Sequence, residues 1–376
     1  MKIAILTSGL LPIPAIKGGA IETLLDSFIE QNEKMKRVKL DVYSIPTKHE
    51  RKKYTKYQYI NNGVWSFFIK IFNKILGTNI PTNFFYQKKM IKKVNKKNYD
   101  YIILENYPEL SLKLKSDRII EYVHSDIFNK DTKNAKKILN KLYRVITVSD
   151  FIKKRVDEID NNNKTLTVLN CIDFDKFDEK EYQINRKKFR KKFYINKRDI
   201  VFIFSGRLSP EKGPLEAIKA FVNANLPHSK LIIVGGIWYG VNKSNCYYDQ
   251  LKKYANENVI FAGYVPHAQI QDFLCIADVG IVPSLCNEAA GLSVVEFMAR
   301  KNIVIASNRG GIPEYIENNN YLIEFNESQE LIDKLTNIIK NIKIDENIKK
   351  RNLMYSQKFS VEYNYSSILD ILEDKN

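Results

Sequence analysis

The sequence predicts an α/β protein with two doubly wound domains, each built on a parallel sheet. Its length of 376 residues exceeds what one hydrophobic core usually serves, which favours two domains. Short runs rich in Ile, Val and Tyr alternate with amphipathic segments along the chain, as expected for strands joined through helices. The charged segment 173–199 has few turn residues and separates two such series, so it is interpreted as the linker.

The first series begins with a predicted strand at residues 2–6 and an amphipathic helix that opens near Gly19. The apolar run at the start of the chain breaks at Thr7 and again at Pro12, which does not fit a secretory signal peptide. Further strands are predicted at residues 40–43, 101–104, 119–123, 145–148 and 167–169. Strands that alternate with helices in this way predict a parallel sheet.

The second series is predicted to begin with a strand at residues 200–205. Its further strands are expected at residues 231–234, 259–261, 279–282 and 303–306. We expect a first domain at residues 1–175 and a second at 176–353, with a helix in residues 354–376 that packs back on the first. No strand in either series is followed by a G-x-G-x-x-G sequence, so a dinucleotide cofactor is poorly supported.

The composition indicates a folded globular protein. Hydrophobic residues make up 44% of the chain and charged residues 27%. No stretch reaches the roughly 18 uninterrupted apolar residues of a membrane-spanning helix. The cysteines show no C-x-x-C spacing, so neither a zinc site nor a disulfide framework is expected, and a reducing cytoplasm fits best. They are Cys171, Cys246, Cys275 and Cys286.

Positive charge is concentrated in one segment. The net charge is +17, and residues 48–97 hold thirteen Lys and Arg against a single acidic residue, Glu50. Aromatic side chains, including Trp65 and Phe68, are interleaved with these cations, which suits an anionic membrane surface. A general bias toward lysine would produce the same segment without any partner, and both interpretations stay open. Nucleic-acid binding would also explain the segment, but it leaves the second half of the chain without a purpose.

The segment Phe204-Ser-Gly-Arg-Leu-Ser-Pro-Glu-Lys-Gly-Pro follows the first predicted strand of the second series. It therefore lies at the carboxyl end of that strand, where open α/β sheets bind ligands. Arg207 and Lys212, brought together by a short loop, would form a cationic pair for a diphosphate. Gly206 and Gly213 permit a close backbone approach and a sharp helix start. Taken alone, the segment also fits a turn with two solvated cations.

The second candidate segment, residues 287–296, lies between a predicted strand and a predicted helix. Backbone N–H groups from Ala290 to Ser293 would point at an anion and add the dipole of a helix N-terminus to the two cations. Glu288 can accept hydrogen bonds from sugar hydroxyls, and Glu296, a turn into the helix, can accept them from a ribose. Taken alone, the segment also fits a helix-start carboxylate beside an unrelated surface glutamate.

Together these segments resemble the donor-binding signatures of the retaining GT-B glycosyltransferases of family four, the group 1 type. The family pattern is G-R-L-x-x-E-K-G, then E-x7-E, then a Gly-Gly-x-x-Glu stretch, which is Gly310-Gly311-Ile-Pro-Glu314 here. In the first half, Gly18-Gly19-Ala-Ile-Glu22 is similar to the family's glycine-rich loop, and Tyr122-Val-His124-Ser-Asp126 is similar to its histidine motif. The resemblance spans nearly the whole chain.

The resemblance implies two Rossmann-like domains that face across a cleft, with the acceptor bound by the first domain and the donor by the second. The cations would neutralise the leaving diphosphate, Glu288 would hold the donor sugar, and His124 would orient a sugar hydroxyl. The residues implied in catalysis are Arg207, Lys212, Glu288 and His124. The residues implied in donor binding are Gly18, Gly19, Gly206, Ala290, Gly291, Leu292, Ser293 and Glu296.

The resemblance further implies retaining transfer of a hexose or N-acetylhexosamine from a nucleotide diphosphate sugar, expected to be a UDP-sugar, to a glycan acceptor. No metal or other cofactor is expected, and the sequence has no metal-ligand cluster. With the basic segment, we expect a lipid-linked acceptor at the inner face of the cell membrane, in assembly of capsule, O-antigen or a similar surface polysaccharide. No nucleic acid is expected as a partner.

Other activities remain as alternatives. A sugar-nucleotide epimerase shares the fold but would need acid and base groups over the sugar ring. A glycoside hydrolase would need two carboxylates that flank a glycosidic bond. A basic nucleic-acid-binding protein would show salt-dependent binding to DNA.

Two positions depart from the family pattern. Ala289 and Ala290 follow the first glutamate where the family often has Phe or Pro, which leaves the identity of the donor sugar open. Cys171 stands where the family commonly has the glycine of Asn-Gly-Val-Asp. A cysteine is tolerable there only if the backbone does not need a positive φ.

Overall fold

The computed structural model describes residues 1–16, 19–47, 52–61, 69, 73, 81–161, 163–173, 178–236, 246–318 and 320–374. The chain divides into two compact units. Unit 1 is Met1–Asn170 with Val361–Asn376, and unit 2 is Cys171–Ser360. Each unit is a doubly wound α/β domain with a parallel sheet, which confirms the predicted fold class. Among the described helices, none combines the length and the hydropathy that a bilayer-spanning segment needs.

Unit 1 is built on a parallel sheet of short apolar strands. They are β1 (Lys2–Leu6), β2 (Lys39–Ser44), β3 (Lys56–Tyr59), β4 (Tyr101–Glu105), β5 (Ile119–Val123), β6 (Arg144–Thr147) and β7 (Thr165–Thr167). Their order across the sheet is β3-β2-β1-β4-β5-β6-β7, so the direction of strand addition reverses between β1 and β4. Ligands of doubly wound sheets bind at such a switch point.

Helices connect these strands. They are α1 (Ala20–Met35), α2 (Phe84–Val94), α3 (Ala135–Lys141) and α4 (Asp150–Asp157), with a 3₁₀ helix at Pro108–Lys113. The helix that the sequence predicts from Gly19 onward is α1, and Gly19 is its N-cap residue.

Unit 2 repeats the same organisation. Its strands are β8 (Ile200–Ser205), β9 (Ser229–Val234), β10 (Val259–Gly263), β11 (Val279–Val282), β12 (Ile303–Ser307) and β13 (Tyr321–Ile323), in the order β10-β9-β8-β11-β12-β13. Its helices are α5 (Glu179–Lys192), α6 (Pro214–Ala224), α7 (Cys246–Tyr254), α8 (His267–Leu274), α9 (Leu292–Ala299), α10 (Ser328–Asn341) and α11 (Glu346–Ser356). The switch point of this sheet lies between β8 and β11.

Alternate residues of each central strand in unit 2 enter two different cores. Phe202 and Phe204 of β8 belong to a core that also contains residues of α6 and α10. Val201 and Ile203 of the same strand belong to a second core with residues of α8 and α9. Because side chains alternate between the faces of a strand, helices cover both faces of this sheet.

The segment interpreted as a linker contains a helix of unit 2, and that interpretation was wrong for most of its length. Helix α5 is fixed to Asp278, which precedes β11, by two partly buried arginines. Arg186 Nη2 lies 2.6 Å from Asp278 Oδ1, and Arg190 Nη2 lies 2.8 Å from Oδ2. The charges that made the segment look solvent-exposed are therefore partly inside, where carboxylate and guanidinium satisfy each other.

The last helix, α12 (Val361–Leu372), belongs to unit 1. The hydroxyl of Tyr365 donates to Oδ1 of Asn32 in α1 over 2.7 Å. The helix expected from residue 354 onward begins later, because α11 ends at Ser356 and the 3₁₀ turn Gln357–Phe359 interrupts the chain.

Strand β5 carries an acidic side chain into the core of unit 1. Glu121 is completely buried, and its Oε1 accepts the N–H of Tyr107 over 2.7 Å. Its Oε2 has no hydrogen-bond partner in the described residues. Burial raises the pKa of this carboxyl well above its ordinary value, and the negative charge of Glu105 adds to the rise.

We expect Glu121→Gln to stabilise the protein at pH 8.5 and to change its stability little at pH 5. The folded pKa of Glu121 lies above the unfolded one, so its contribution is fully present below the unfolded pKa and is lost as pH rises, by up to about 1.4 kcal/mol per pH unit. Urea unfolding at both pH values measures the difference. Glu362→Gln, on the exposed side of α12, is the control. Equal pH dependence of Glu121→Gln and the unmodified protein would contradict the expectation.

Candidate active site

The carboxyl edge of the sheet in unit 2 gathers two loops with charged side chains. Residues 206–213 follow β8, and residues 283–291 follow β11, which lies beside β8. Strand β9, the next in the chain, lies on the other side of β8. The two donor segments predicted from the sequence therefore meet at the switch point of the sheet.

Lys212 and Glu288 form an ion pair that joins these two loops. Lys212 Nζ lies 2.6 Å from both Oε1 and Oε2 of Glu288, and the hydroxyl of Ser284 donates to Oε1 over 2.6 Å. The side chains of the pair are 27% and 17% exposed, so it is only partly screened from water. From the sequence, Lys212 was expected to bind a diphosphate and Glu288 a sugar. In the structure the two side chains also bind each other.

A third loop holds the backbone of Glu288. The N–H of Gly311 donates to the Glu288 carbonyl over 2.7 Å, and Gly310 pairs with Glu288 in an isolated β-bridge. Gly310 has a φ of 58°, and a Cβ added there would overlap the Glu288 carbonyl oxygen and lie 2.6 Å from its nitrogen. Only glycine fits this position, so the predicted Gly-Gly stretch fixes the position of the catalytic candidate Glu288.

Arg207 is not part of this ion pair. Its Nη2 donates to Oε1 of Glu211 over 2.8 Å, and its side chain is 50% exposed. Glu211 lies in the 3₁₀ turn Pro210–Lys212, and its carbonyl accepts the N–H of Leu285 over 2.9 Å. A surface ion pair contributes only about 0–1 kcal/mol, so the guanidinium can turn to an incoming anion at little cost.

Helix α9 begins at the same edge of the sheet. Gly291 is its N-cap residue. Leu292 and Ser293 belong to the first turn, whose backbone N–H groups have no acceptor within the helix. Ala290, Ser293 and Glu296 are partly buried, with Glu296 one turn into the helix. The first turn of α9 therefore places backbone N–H groups at the edge of the sheet where the sequence predicts an anion site.

Three glycines form a bare backbone edge that the sequence motifs only partly revealed. Gly206, Gly235 and Gly263 follow or end the neighbouring strands β8, β9 and β10. The N–H of Gly235 donates to the Gly263 carbonyl over 2.9 Å, and a Cβ on Gly235 would overlap the carbonyl oxygen of Gly206. A flat ligand can approach the backbone of these three residues closely because glycine has no side chain. Glycines one and two residues after two further predicted strands were the signal for Gly235 and Gly263.

In unit 1, Gly19 caps α1 at the switch point of the sheet, with a φ of 111°. Its carbonyl accepts the N–H of Thr23 over 3.0 Å, and a Cβ at this position would overlap the carboxylate of Glu22. Burial, followed by the charge of Glu105, raises the pKa of Glu22. Gly18, the other glycine of this predicted loop, lies outside the described residues, as do many residues of the basic segment 48–97.

His124 follows β5 and is held by residues that the sequence reasoning missed. Its Nε2 lies 2.7 Å from Oε2 of Glu105, and both side chains are about 95% buried, with 5% and 6% exposed. Its backbone N–H donates to Oδ1 of Asn106 over 3.0 Å. Glu105 and Asn106 end and follow β4, the strand beside β5, so adjacency at the carboxyl edge of the sheet was the available signal.

Residues 185–353 match the family described as glycosyl transferases group 1. This range contains the loops after β8, β11 and β12 that hold Lys212, Glu288 and Gly310. The chain is a glycosyltransferase whose residues 185–353 form a group 1 domain. Among the described residues, Cys171 is absent from those with positive φ, which removes the objection raised by its place in the family pattern.

This glycosyltransferase is similar to proteins that cover between a third and the whole of its length. YtcC of Bacillus subtilis is 27% identical over 335 residues, which is 84% of this chain and 77% of YtcC. Lipopolysaccharide 1,2-N-acetylglucosaminetransferase of Salmonella typhimurium is 33% identical over 134 residues, about a third of each chain at 34% and 35%. The crystal structure of HepE of Anabaena in complex with UDP superposes with a TM-score of 0.73 at 20% identity and covers 100% of both chains. The likeness confirms the predicted GT-B fold.

Proposed function

We propose that this glycosyltransferase moves a hexose or N-acetylhexosamine from a UDP-sugar to a glycan acceptor with retention of the anomeric configuration. The observation that carries the proposal is the Lys212–Glu288 ion pair at the switch point of unit 2, beside the first turn of α9. A diphosphate needs cations and N–H groups, and a sugar needs a carboxylate for its hydroxyls. This edge of the sheet supplies all three within two loops.

Each group has a role in this proposal. Lys212 and Arg207 neutralise the charge that builds on the departing diphosphate, and the first turn of α9 donates N–H groups to it. Glu288, with its backbone fixed by Gly310, accepts hydrogen bonds from the donor sugar. Glu296 accepts them from the ribose. The base and ribose lie along the glycine edge described above, where the backbone is bare.

HepE supports UDP as the nucleotide. Structures of that protein were solved with UDP and with UDP-glucose, and its fold matches this chain at a TM-score of 0.72 in the second complex. We propose that no metal takes part in the transfer, because Lys212, Arg207 and the α9 N-terminus can together balance the diphosphate charge.

UDP is expected to raise the melting temperature by about 5–10 °C at a concentration of about one hundred times its Kd. A thermal-shift series with UDP, GDP, ADP, CDP and TDP measures this, and Arg207→Ala should lose most of the shift. Lys334→Ala removes a surface pair with Glu330 in α10 and should keep the shift. No shift with any nucleotide would overturn the donor assignment.

Once the nucleotide is known, sugar transfer in the presence of EDTA tests metal independence. NMR of the product anomer tests retention of configuration.

We propose that the acceptor is lipid-linked and lies at the inner face of the cell membrane, in assembly of a bacterial surface polysaccharide such as capsule or O-antigen. Helix α2 supports this part of the proposal. Its buried face contains Met90 and Val94, while the lysines of the other face are exposed: Lys88, Lys89, Lys92 and Lys93. These lysines have no ion-pair partner in the described part of the chain, and Phe84 at the start of the helix is 41% exposed. The named activity of the Salmonella relative also concerns a lipid-bearing glycan.

Reversing two charges of α2, Lys88→Glu with Lys92→Glu, is expected to lower binding to vesicles with phosphatidylglycerol by at least about tenfold, since each lysine near an anionic surface contributes about 1 kcal/mol. Flotation at low salt measures it. Lys187→Glu with Lys191→Glu on the exposed side of α5 is the matched control, with the same spacing and charge change. An equal loss in both variants would assign the binding to net charge, and unchanged binding in the α2 variant would remove this membrane contact.

A further inference from the structure

The imidazole of His124 is buried with one nitrogen paired and the other unpaired. Nε2 contacts Glu105 Oε2 at 2.7 Å, whereas Nδ1 is buried without a hydrogen-bond partner in the described residues. A buried polar atom without a partner costs free energy and calls for an explanation. A ligand hydroxyl that bonds to Nδ1 would provide one.

We propose that Glu105 is a positioning residue for His124: its carboxylate accepts the Nε2–H, fixes the tautomer, and leaves the Nδ1 lone pair to accept the O–H of a bound sugar. The inference rests on the proposed function, together with the role of orienting a sugar hydroxyl that the family resemblance implies for His124. An ionised carboxylate can only accept, so the proton of a neutral imidazole lies on the nitrogen that faces it. Without that carboxylate the proton is free to occupy Nδ1, which would then no longer accept.

Residues around the Glu105–His124 pair also restrict the orientation of the His124 ring. The ring of Tyr122 packs at 4.2 Å between centroids, and Asn106 accepts the backbone N–H of His124 at 3.0 Å. Asn106 has a left-handed backbone with a φ of 59° and donates from its side chain to the Ser125 hydroxyl over 2.9 Å. The end of β4 therefore holds His124 at two points, through its ring and through its backbone.

The environment of Glu105 gives its charge a strong effect on His124. The pair borders a cavity of about 20 Å³ whose other walls are mostly apolar, among them Leu25, Phe28 and Ile103. Interactions in such surroundings are stronger than in water because few other dipoles compete.

The tautomer can be read directly. The chain has four histidines, so ¹⁵N-histidine NMR gives few signals, and His124→Ala identifies the one of interest. We expect the Nε2–H tautomer in the unmodified protein and in Glu105→Gln, whose amide oxygen can still accept, and a mixture in Glu105→Ala. An Nδ1–H tautomer in the unmodified protein, or an unchanged spectrum in Glu105→Ala, would overturn the inference without any measurement of activity.

Kinetics test whether the positioning serves transfer. Glu105→Ala should lower kcat about tenfold, a typical coupling for residues in contact, with Glu105→Gln recovering most of the loss. In a His124→Ala background, Glu105→Ala should cause no further loss, because it acts through the ring. If the losses of the two single variants add in the double variant, Glu105 does not act through His124, and only its positioning role is overturned. Full turnover in His124→Ala would overturn the proposed role of His124 and this inference with it.

Discussion

Lys212→Ala is expected to lower the turnover of sugar transfer by about a hundredfold or more while the fold stays intact, and Glu288→Ala should cause a similar loss. Lys212 is the cation nearest to Glu288, at 2.6 Å from both carboxylate oxygens, and it lies beside the first turn of α9. Its loss removes positive charge from around the leaving diphosphate and leaves the Glu288 carboxylate with the Ser284 hydroxyl as its hydrogen-bond partner among the described residues. Steady-state kcat with a UDP-sugar and a glycan acceptor measures the effect.

Stability separates a catalytic loss from an unfolded variant. The Lys212–Glu288 pair is partly exposed, so either alanine variant should unfold within about 1 kcal/mol of the unmodified protein. Lys334→Ala is the matched control, because it removes a Lys–Glu pair of 2.7 Å in the same unit but away from the β8 and β11 loops. Turnover near normal in Glu288→Ala would remove that residue from the site, and an equal loss in the Lys334 control would remove the catalytic explanation.

The central strands of both sheets could be predicted because they are buried on both faces. Residues 2–6, 119–123, 200–205 and 279–282 were predicted as strands and form β1, β5, β8 and β11 with the same ends. A fully buried strand reads as an uninterrupted run of Ile, Val and Phe, which has little competition from other patterns. The ligand edge of unit 2 could also be predicted, because the Arg207 segment directly follows the carboxyl end of a predicted strand. The strand order that sets the switch points is known only from the structure.

Three of the four edge strands, β3, β7 and β13, could not be predicted in the same way, whereas β10 was predicted with its first residue correct. Strand β3 has the sequence Lys-Tyr-Gln-Tyr and lies at the edge of its sheet, where one side needs no apolar partner. Strand β13 covers three residues at the edge of the other sheet. Strand β7, at Thr165–Thr167, begins two residues before the predicted strand. Short strands with one neighbour carry too few buried side chains to leave a pattern in sequence.

The motifs predicted which loops form the candidate site but not how the side chains pair. Arg207 and Lys212 were expected to act together as a cationic pair, whereas Arg207 binds Glu211 and Lys212 binds Glu288. Glu105 was missed because no local pattern marks it. It matters only because β4 and β5 are neighbours, and that pairing is set by tertiary structure.

Gly310→Ala is expected to combine a loss of stability of about 3 kcal/mol or more with a fall in turnover of about a hundredfold. The residue has a left-handed backbone, which costs an alanine about 1–2 kcal/mol. The new Cβ would also overlap the Glu288 carbonyl oxygen and lie 2.9 Å from the carbonyl carbon of Asn287, and such overpacking typically costs about 1–3 kcal/mol. The protein can relieve the overlap only by moving Glu288, and a displacement of about 1 Å in a catalytic group can lower a rate a hundredfold.

Gly263→Ala separates the two sources of the lost stability. Gly263 also has a left-handed backbone, with a φ of 74°, but a Cβ there meets no atom within 4 Å. It should therefore show the backbone cost alone, and its melting temperature should fall by several degrees less than that of Gly310→Ala. Differential scanning calorimetry of both variants measures this difference. Equal melting temperatures would mean that the β12 loop yields without strain, and normal turnover in Gly310→Ala would mean that this loop does not position Glu288.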